Sequence, residues 1–351
     1  MEKKCKFASQ KQKICMAATV INDYNTEKRP LVTFVVTFHN NDSAVLKECI
    51  ASILNLSLSG IEREIIVVDD GSDFCPMGDL MDYGDEVIYV RKPHQGTGSA
   101  RNLGINIANG VYLQFVDSND TLVTAEYESC LDVARYKEPD LVMFNYESNK
   151  RVGKTVAVID EKPMAGADFM RNYNIRGTSW GFLFRKDVLH NLRFPNDILN
   201  GDEEFTSQLV LRCERIFSLD VVAYHCGEHS EAIANDNDMR WKVRRLDDEE
   251  TLILRLHRRA DTLPYGERQA MQRRLSQLTM DYLYDIIVLT GSKRFLTERL
   301  KTLEKEGLFP PREKTFGKRS AMFARMVRTS LGRNILLATL PFFSNTLSPR
   351  K

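Results

Sequence analysis

Val111-Tyr112-Leu113-Gln114-Phe115-Val116-Asp117-Ser118-Asn119-Asp120 is the stretch whose reading decides the rest of this chain. An apolar run with partial period-2 alternation ends abruptly in carboxylates and small polar residues, as a strand does when it delivers side chains to its carboxyl end. In an open α/β sheet that edge is where ligands bind, and two carboxylates there suit a divalent cation. Taken alone, the same letters also describe a strand entering a plain polar turn, which Asp, Ser and Asn favour conformationally. The flanking sequence decides between the two.

Residues 1–29 carry no strong periodicity and read as an N-terminal extension. Leu31–Phe38 (L-V-T-F-V-V-T-F) is β-branched and aromatic, a buried strand. His39-Asn40-Asn41-Asp42 then makes a turn with a helix cap, and Val45, Leu46, Cys49, Ile50, Ile53 and Leu54 follow at helical spacing. Glu64–Val68 is a second buried strand ending in Asp69-Asp70-Gly71-Ser72, and Val87–Val90 is a third. After the glycine-bearing His94–Gly98 comes a helix containing Ala100, Arg101, Leu103, Ile105 and Ile107, then the Val111–Val116 strand. Alternation of this kind predicts βαβ units and a mostly parallel sheet flanked by helices, the α/β class. Further strands are expected at Asp140–Tyr146 and Val221–Tyr224, with Thr178–Phe184 as a strand or turn leading into a helix begun at Lys186-Asp187-Val188. Asn200-Gly201-Asp202-Glu203-Glu204-Phe205 caps another helix with Phe205, Leu209 and Val210 on its apolar side. From about Asp238 the chain turns helical, and Met271, Leu275, Leu278, Tyr282, Ile286 and Leu289 form a stripe expected to pack against the main domain.

Composition narrows the class without naming a partner. Hydrophobic residues at 43% and charged residues at 28% describe an ordinary globular protein. Lys plus Arg (49) nearly balances Asp plus Glu (48), so net charge selects no ligand. Seven scattered cysteines without CxxC pairing argue against a disulfide framework and suit a reducing compartment. No secretory signal is recognisable, and no apolar run approaches the ~20 residues that span a bilayer. A cytoplasmic protein is therefore expected.

If the strands run parallel, Thr37/His39, Asp69/Asp70 and Asp117/Asp120 face one crevice. An Asp there can accept a base N–H, and hydroxyl or imidazole groups can line a base or ribose pocket. Arg101 adds positive charge, and Gly96 with Gly98 allows close backbone approach. The assembled picture is a nucleoside-diphosphate site with a cation at the phosphates. Gly96-x-Gly98 lacks the third glycine of a dinucleotide fingerprint and does not open the first βα unit; no P-loop Lys-Ser/Thr is present either.

The segments P-L-V-T-F-V-V-T-F-H-N-N, E-I-I-V-V-D-D-G-S, H-Q-G-T-G-S-A-R-N-L-G and V-D-S-N-D resemble, in that order, the motifs of glycosyltransferase family 2. S-W-G-F-L-F-R-K-D and G-D-E-E-F-T extend the likeness over roughly residues 30–230. The resemblance implies a GT-A fold, Rossmann-like with a mostly parallel sheet, over 30–235, followed by a helical C-terminal region over 236–351. It implies an inverting enzyme that uses a nucleotide sugar, most often UDP-linked, and a divalent cation, Mg²⁺ or Mn²⁺. By position, Thr37 and His39 would contact the nucleoside, Asp70 the base, and Arg101 the base or diphosphate. Gly96 would approach the donor through its backbone. Asp117-Ser118-Asn119 occupies the D-x-D position that holds the metal against the sugar diphosphate. Asp202 stands at the catalytic base, with Glu203 as its understudy, and Trp180 at the acceptor side. Inversion requires a carboxylate opposite the leaving group to take the acceptor's proton, and no covalent enzyme nucleophile.

The departures are also legible. Asn119 replaces a carboxylate at the third D-x-D position, so Asp117 with Asp120 is the expected metal set, with weaker affinity or a preference for Mn²⁺. Gly201 replaces the acidic residue that commonly precedes the base, Phe182 stands where a lysine is common, and His39 replaces a frequent tyrosine. Tyr224–His229 reads most simply as a polar loop over the site; structural zinc, or His225 or His229 joining the metal shell, are the alternatives. From Pro311 to Lys351 there are nine basic residues and one acid, Glu313. With Met322, Phe323, Met326 and Val327 on one side of a helix, residues 312–343 suit peripheral contact with an anionic membrane, at the inner face of the cell membrane. No aromatic-basic motif supports nucleic acid binding. The expected function is transfer of a hexose or N-acetylhexosamine to a glycan or lipid-linked acceptor in surface polysaccharide synthesis. The rival is a weakly active or inactive relative that binds nucleotide sugar or a partner. A sugar nucleotidyltransferase would need a glycine-rich activating loop that is not seen.

Overall fold

The structure is a computed structural model that describes residues 29–148, 151–153, 160–199, 201–227, 238–311 and 318–347. Its centre is a ten-stranded mixed sheet. The first half consists of β1 (Val32–Phe38), β2 (Arg63–Asp69), β3 (Val87–Arg91) and β4 (Tyr112–Asp117). They lie in the order β3-β2-β1-β4, every pairing parallel. Between them run the helices α1 (Ser43–Leu54), the short α2 (Met77–Leu80) and α3 (Thr97–Ile107). β1, β2 and β4 read as nearly unbroken apolar runs because both faces are covered, whereas the edge strand β3 leaves Ile88 exposed. On β1, Val35 joins one core with α3, whereas Phe34 and Val36 join a second core with α1. Asp42 caps α1 as expected, accepting the Ala44 amide at 2.8 Å.

Beyond β4 the sheet becomes mixed. The elements in chain order are β5 (Thr121–Leu122), α4 (Thr124–Lys137), β6 (Leu141–Ser148), β7 (Arg151–Gly153), β8 (Asp160–Met164) and α5 (Gly166–Asn172). β9 (Phe182–Arg185), α6 (Gly201–Arg212) and β10 (Ile216–Cys226) complete it. The sheet continues β4-β9-β6-β10-β5, with β9 antiparallel to both of its neighbours and β6 parallel to β10. Lys186-Asp187-Val188 does not begin an α-helix; it makes a four-residue 3₁₀ turn, Lys186–Leu189, closed by His190 at φ 45°. A positive φ on a residue with a Cβ stops propagation there. β10 also runs two residues past Tyr224, so His225 sits on a strand.

Five helices follow: α7 (Met239–Ala260), α8 (Tyr265–Thr290), α9 (Lys293–Lys305), α10 (Lys318–Arg328) and α11 (Ser330–Leu347). The stripe Met271, Leu275, Leu278, Tyr282 and Ile286 does not chiefly face the sheet domain. It builds a third core with Leu246, Ile253 and Leu256 of α7 and Leu296, Leu300 and Leu303 of α9. The opposite side of α8 faces the sheet domain through Ala270, Arg273 and Arg274. Among the described residues, no helix is long and apolar enough to cross a membrane.

Candidate active site

Strand register brings the chemistry together. Phe38 pairs with Asp69, Thr37 with Asp117, and Asp69 with Arg91, so the carboxyl ends of β1, β2, β3 and β4 are level. Because β9 runs antiparallel to β4, the residues preceding it, Ser179-Trp180-Gly181, lie at the same edge. The Gln114 amide fixes them there, donating to Trp180 O at 2.8 Å.

At the middle of this edge is Arg101, from α3, its side chain only 4% exposed. Its guanidinium lies near the rings of Phe194 and Phe115, 5.4 and 5.8 Å from their centroids. Nη1 donates to Asp202 Oδ1 at 2.5 Å and Nη2 to Asp117 Oδ1 at 2.9 Å. Thr37 Oγ1 donates to that same Asp117 oxygen at 3.1 Å. Burial works against the Arg101 charge, but Asp202 and Asp117 outweigh it and raise its pKa. Asp202 lies in the first turn of α6, and its Oδ2 accepts from Ser179 Oγ at 2.8 Å. Burial pushes the Asp202 carboxyl above the ordinary carboxylate range, against the pull of Arg101 and Ser179. One buried cation thus joins the end of β4 to the start of α6.

Asp70 is held differently. Its carboxylate accepts from Lys92 Nζ at 2.5 Å and from the backbone N–H groups of Gln95 (3.0 Å) and Gly96 (2.7 Å). The His94 Nδ1 lies 2.9 Å from it. Burial alone would raise its pKa, but Lys92 and the two amides prevail and lower it. The tight approach depends on Gly71, at φ 73°, where a Cβ would stand 2.6 Å from the His94 nitrogen. His94 in turn stacks on His39, ring centroids 4.2 Å apart.

The other expected residues divide. Ser118 is buried and accepts from Asn41 Nδ2 at 2.6 Å, so it pins the loop after β1. Asn119 is half-buried beside it. Asp120 is turned inward, 1% exposed, with Oδ2 accepting from the Tyr224 hydroxyl (2.7 Å) and Oδ1 from the Gly227 amide (2.8 Å). The same hydroxyl receives the Asp117 amide at 3.2 Å, so Tyr224 fastens the turn from beneath. Trp180 stacks on Tyr224 at 4.6 Å and meets the edge of Tyr146 at 5.0 Å, while Arg176 bonds the Tyr146 hydroxyl. Glu203 forms an ion pair with Arg274 of α8. Gly201 packs on Pro195, where a Cβ would sit 3.0 Å from the ring. His225 Nδ1 lies 3.4 Å from Glu147 Oε1, and His229 falls outside the described residues. No group of three or more His, Cys, Asp or Glu arranged for a metal occurs among the described residues.

Comparison with known proteins meets this geometry. The family described as "Glycosyl transferase family 2" matches residues 33–193, the segment from β1 to the turn after β9. Residues 33–193 thus belong to glycosyltransferase family 2. The chain is 29% identical over 219 residues to the "Uncharacterized glycosyltransferase EpsJ" of Bacillus subtilis, covering 58% of this chain and 63% of EpsJ. It is 24% identical over 196 residues to "Minor teichoic acid biosynthesis protein GgaB" of the same organism, covering 51% of this chain and 21% of GgaB. The likeness thus spans less than two thirds of either relative. Among solved structures, S. aureus TarS 1–349 in complex with UDP-GlcNAc superposes with a TM-score of 0.63 at 15% identity, over 90% of both chains. The mannosyltransferase PcManGT of Pyrobaculum calidifontis, in complex with GDP-Man and Mn²⁺, gives 0.51 at 14% identity over 97% of this chain and 94% of that one. The fold is GT-A-like, followed by the C-terminal helices α7–α11.

Several residues of this site escaped sequence reasoning. Lys92, Phe194 and Arg274 reach it from loops or a distant helix, and none sits at a motif spacing. Ser179 opens the S-W-G-F-L-F-R-K-D segment, but its bond to Asp202 has no sequence signal. His94 was quoted only within a glycine-bearing run, and its stacking on His39 has no sequence signal.

Proposed function

We propose that this protein is an inverting glycosyltransferase that moves a hexose or N-acetylhexosamine from a UDP-linked sugar to a glycan or lipid-linked acceptor in surface-polymer synthesis. The observation that carries it is the Asp117–Arg101–Asp202 bridge at the carboxyl edge of the sheet. It supports the reading because two carboxylates from separate elements, Asp117 and Asp202, stand on two sides of one buried cation. TarS, bound to UDP-GlcNAc in a related fold, and GgaB, named for minor teichoic acid biosynthesis, support the donor and polymer classes.

In this reading Asp202 takes the proton of the attacking acceptor hydroxyl. Its raised pKa makes it a stronger base than an ordinary carboxylate, and Ser179 orients it. Arg101 offsets the negative charge that grows on the leaving diphosphate. The stacked His39 and His94 offer an aromatic face to the nucleobase, and Asp70 shapes the 92–96 loop around it. Trp180 borders the acceptor. Asp117 and Asn119 are the groups to hold Mg²⁺ or Mn²⁺. Asp117 Oδ1 is committed to Arg101 and Thr37, and Oδ2 has no bond to another described residue. One carboxylate oxygen and an amide fit a cation completed by donor phosphates and water. The bound cation would supply charge stabilisation to the diphosphate.

A thermal-shift panel of UDP-, GDP- and dTDP-sugars with Mg²⁺ or Mn²⁺ tests the donor class. Stabilisation by one UDP-sugar is expected, and none by any nucleotide sugar would end the reading. The inward turn of Asp120 favours the rival, a nucleotide-sugar binder with little turnover. Slow UDP release by the purified chain is expected here and would be absent in a binder. The tail extends the proposal to an anionic membrane at the cytoplasmic face. Phe323 and Val327, expected on the membrane side, are buried in the third core instead, so the apolar surface offered is Met322, Leu331 and Ile335, exposed on α10 and α11 beside Arg325 and Arg328. Sedimentation with phosphatidylglycerol vesicles, lost in phosphatidylcholine vesicles, is the expected result.

A further inference from the structure

The first turn of α6 carries three successive carboxylates, Asp202, Glu203 and Glu204. Each faces a different arginine. Asp202 takes Arg101 from α3, Glu203 takes Arg274 from α8, and Glu204 lies 3.6 Å from Arg255 of α7. Two of these three cations come from the C-terminal helices, which supply no other residue to the site described above.

Arg274 is the most enclosed of them, its side chain 2% exposed. Besides the Glu203 pair, it donates to Ile175 O at 2.5 Å, to Ser207 Oγ at 3.2 Å and to Gln277 Oε1 at 2.8 Å. Its neighbour Arg273 bonds Met170 O and Tyr173 O, each at 2.7 Å. The segment from 170 to 175 is therefore gripped from α8 by adjacent arginines. Two residues on, Gly177 leaves the space that Glu203 fills; a Cβ there would stand 2.2 Å from Glu203 Cδ. Two residues further, Ser179 bonds Asp202. A continuous mechanical path thus runs from α8, through Glu203 and the 175–179 segment, to the proposed base.

We propose that Arg274 is a positioning residue for sugar transfer: it neutralises Glu203 and clamps 175–179, leaving Asp202 as the first-turn carboxylate available to an acceptor hydroxyl. The inference rests on Asp202 being the base. The charged groups facing Asp202 are Arg101 from α3 and Asp117 from β4, with Glu203 and Glu204 beside it on its own helix. Removing the Arg274 charge exposes Asp202 to an unbalanced Glu203; removing the Glu203 charge leaves an unbalanced Arg274. The two changes must act in opposite directions.

The test uses the full chain and measures UDP release against pH, with whichever of UDP-glucose, UDP-galactose, UDP-GlcNAc and UDP-GalNAc the wild type turns over fastest. In Arg274→Gln the acid limb is expected to move up by roughly half to one pH unit, lowering the rate at pH values well below the wild-type midpoint about three- to tenfold. The donor KM is expected to stay within about twofold. Glu203→Gln should move the limb the other way, and the double variant should return it close to the wild-type position. Thermal melts confirm that each variant is folded, and if Arg274→Gln is not, the Glu203→Gln limb decides alone. An acid limb unmoved by Glu203→Gln, or moved in the same direction by both single variants, overturns the inference. Asp202→Asn separates the two layers. If it retains transfer, the base reading fails; if it is inactive while the limbs stay fixed, only the positioning role fails.

Discussion

Asp70 and Asp202 reach the same crevice from opposite sides, and their surroundings drive them apart. Asp70 closes β2 and is saturated by its own chain: one lysine, two backbone amides and a histidine surround it, and its pKa falls. Asp202 opens α6, shares a single guanidinium with Asp117, keeps one serine bond, and its pKa rises. Residue type does not separate them. A carboxylate surrounded by donors becomes a fixed anion that organises a loop, whereas one half-buried with a shared cation and a single serine bond holds a proton more readily, as the proposed base role requires.

The largest effect should come from breaking the Asp202 side. Asp202→Asn is expected to lower transfer by about 10²–10⁴-fold while keeping the thermal shift given by the donor. The wild-type acid limb should lie above the ordinary carboxylate value of about 4. Near-normal transfer by a folded Asp202→Asn would dissolve the contrast.

Next comes the Asp70 side. Asp70→Asn should cost about 1.5–3 kcal/mol of stability at pH 7, the loss of charged hydrogen bonds at a buried site. Because the folded pKa of Asp70 is lowered, its contribution is present above the ordinary carboxylate value and disappears as the pH falls through the folded value. Urea melts of wild type and variant should therefore converge in acid. A constant gap across pH would mean that its charge is not what matters.

Asn119→Asp sharpens the comparison at the shared centre. Adding a second carboxylate should lower the Mg²⁺ or Mn²⁺ concentration for half-maximal UDP release by roughly three- to tenfold. No gain in a metal titration would remove Asn119 from the metal shell. The smallest effect belongs to the stacked ring beside Asp70. His94→Ala should weaken binding of UDP by about two- to tenfold, the worth of one aromatic face. Isothermal titration reads it directly, and unchanged affinity would place the nucleobase elsewhere.

Much of the donor side was legible because its signals are local. The runs at 31–38, 64–68 and 111–116 are mostly apolar, since strands covered on both faces need few polar alternates. Each ends in polar residues because the sheet ends there, and parallel pairing makes those ends level. The base side was less legible. Asp202 lies far along the chain from the Asp117-Ser118-Asn119 triplet, and β9 had to run antiparallel to bring Ser179 and Trp180 back to the edge. Asp120 looked equivalent to Asp117 in the string, yet a residue three places beyond a strand end can turn in any direction. Here the Tyr224 hydroxyl, from β10, turns it inward.

By itself, the sequence determined the α/β alternation, the edge where carboxylates collect and the family they resemble, because hydrophobic period and turn chemistry act over a few residues. Only the tertiary structure decided what surrounds each carboxylate. Arg101, Tyr224 and Arg274 reach them from separate elements, and a pKa depends on charges and burial across space, which no local spacing encodes.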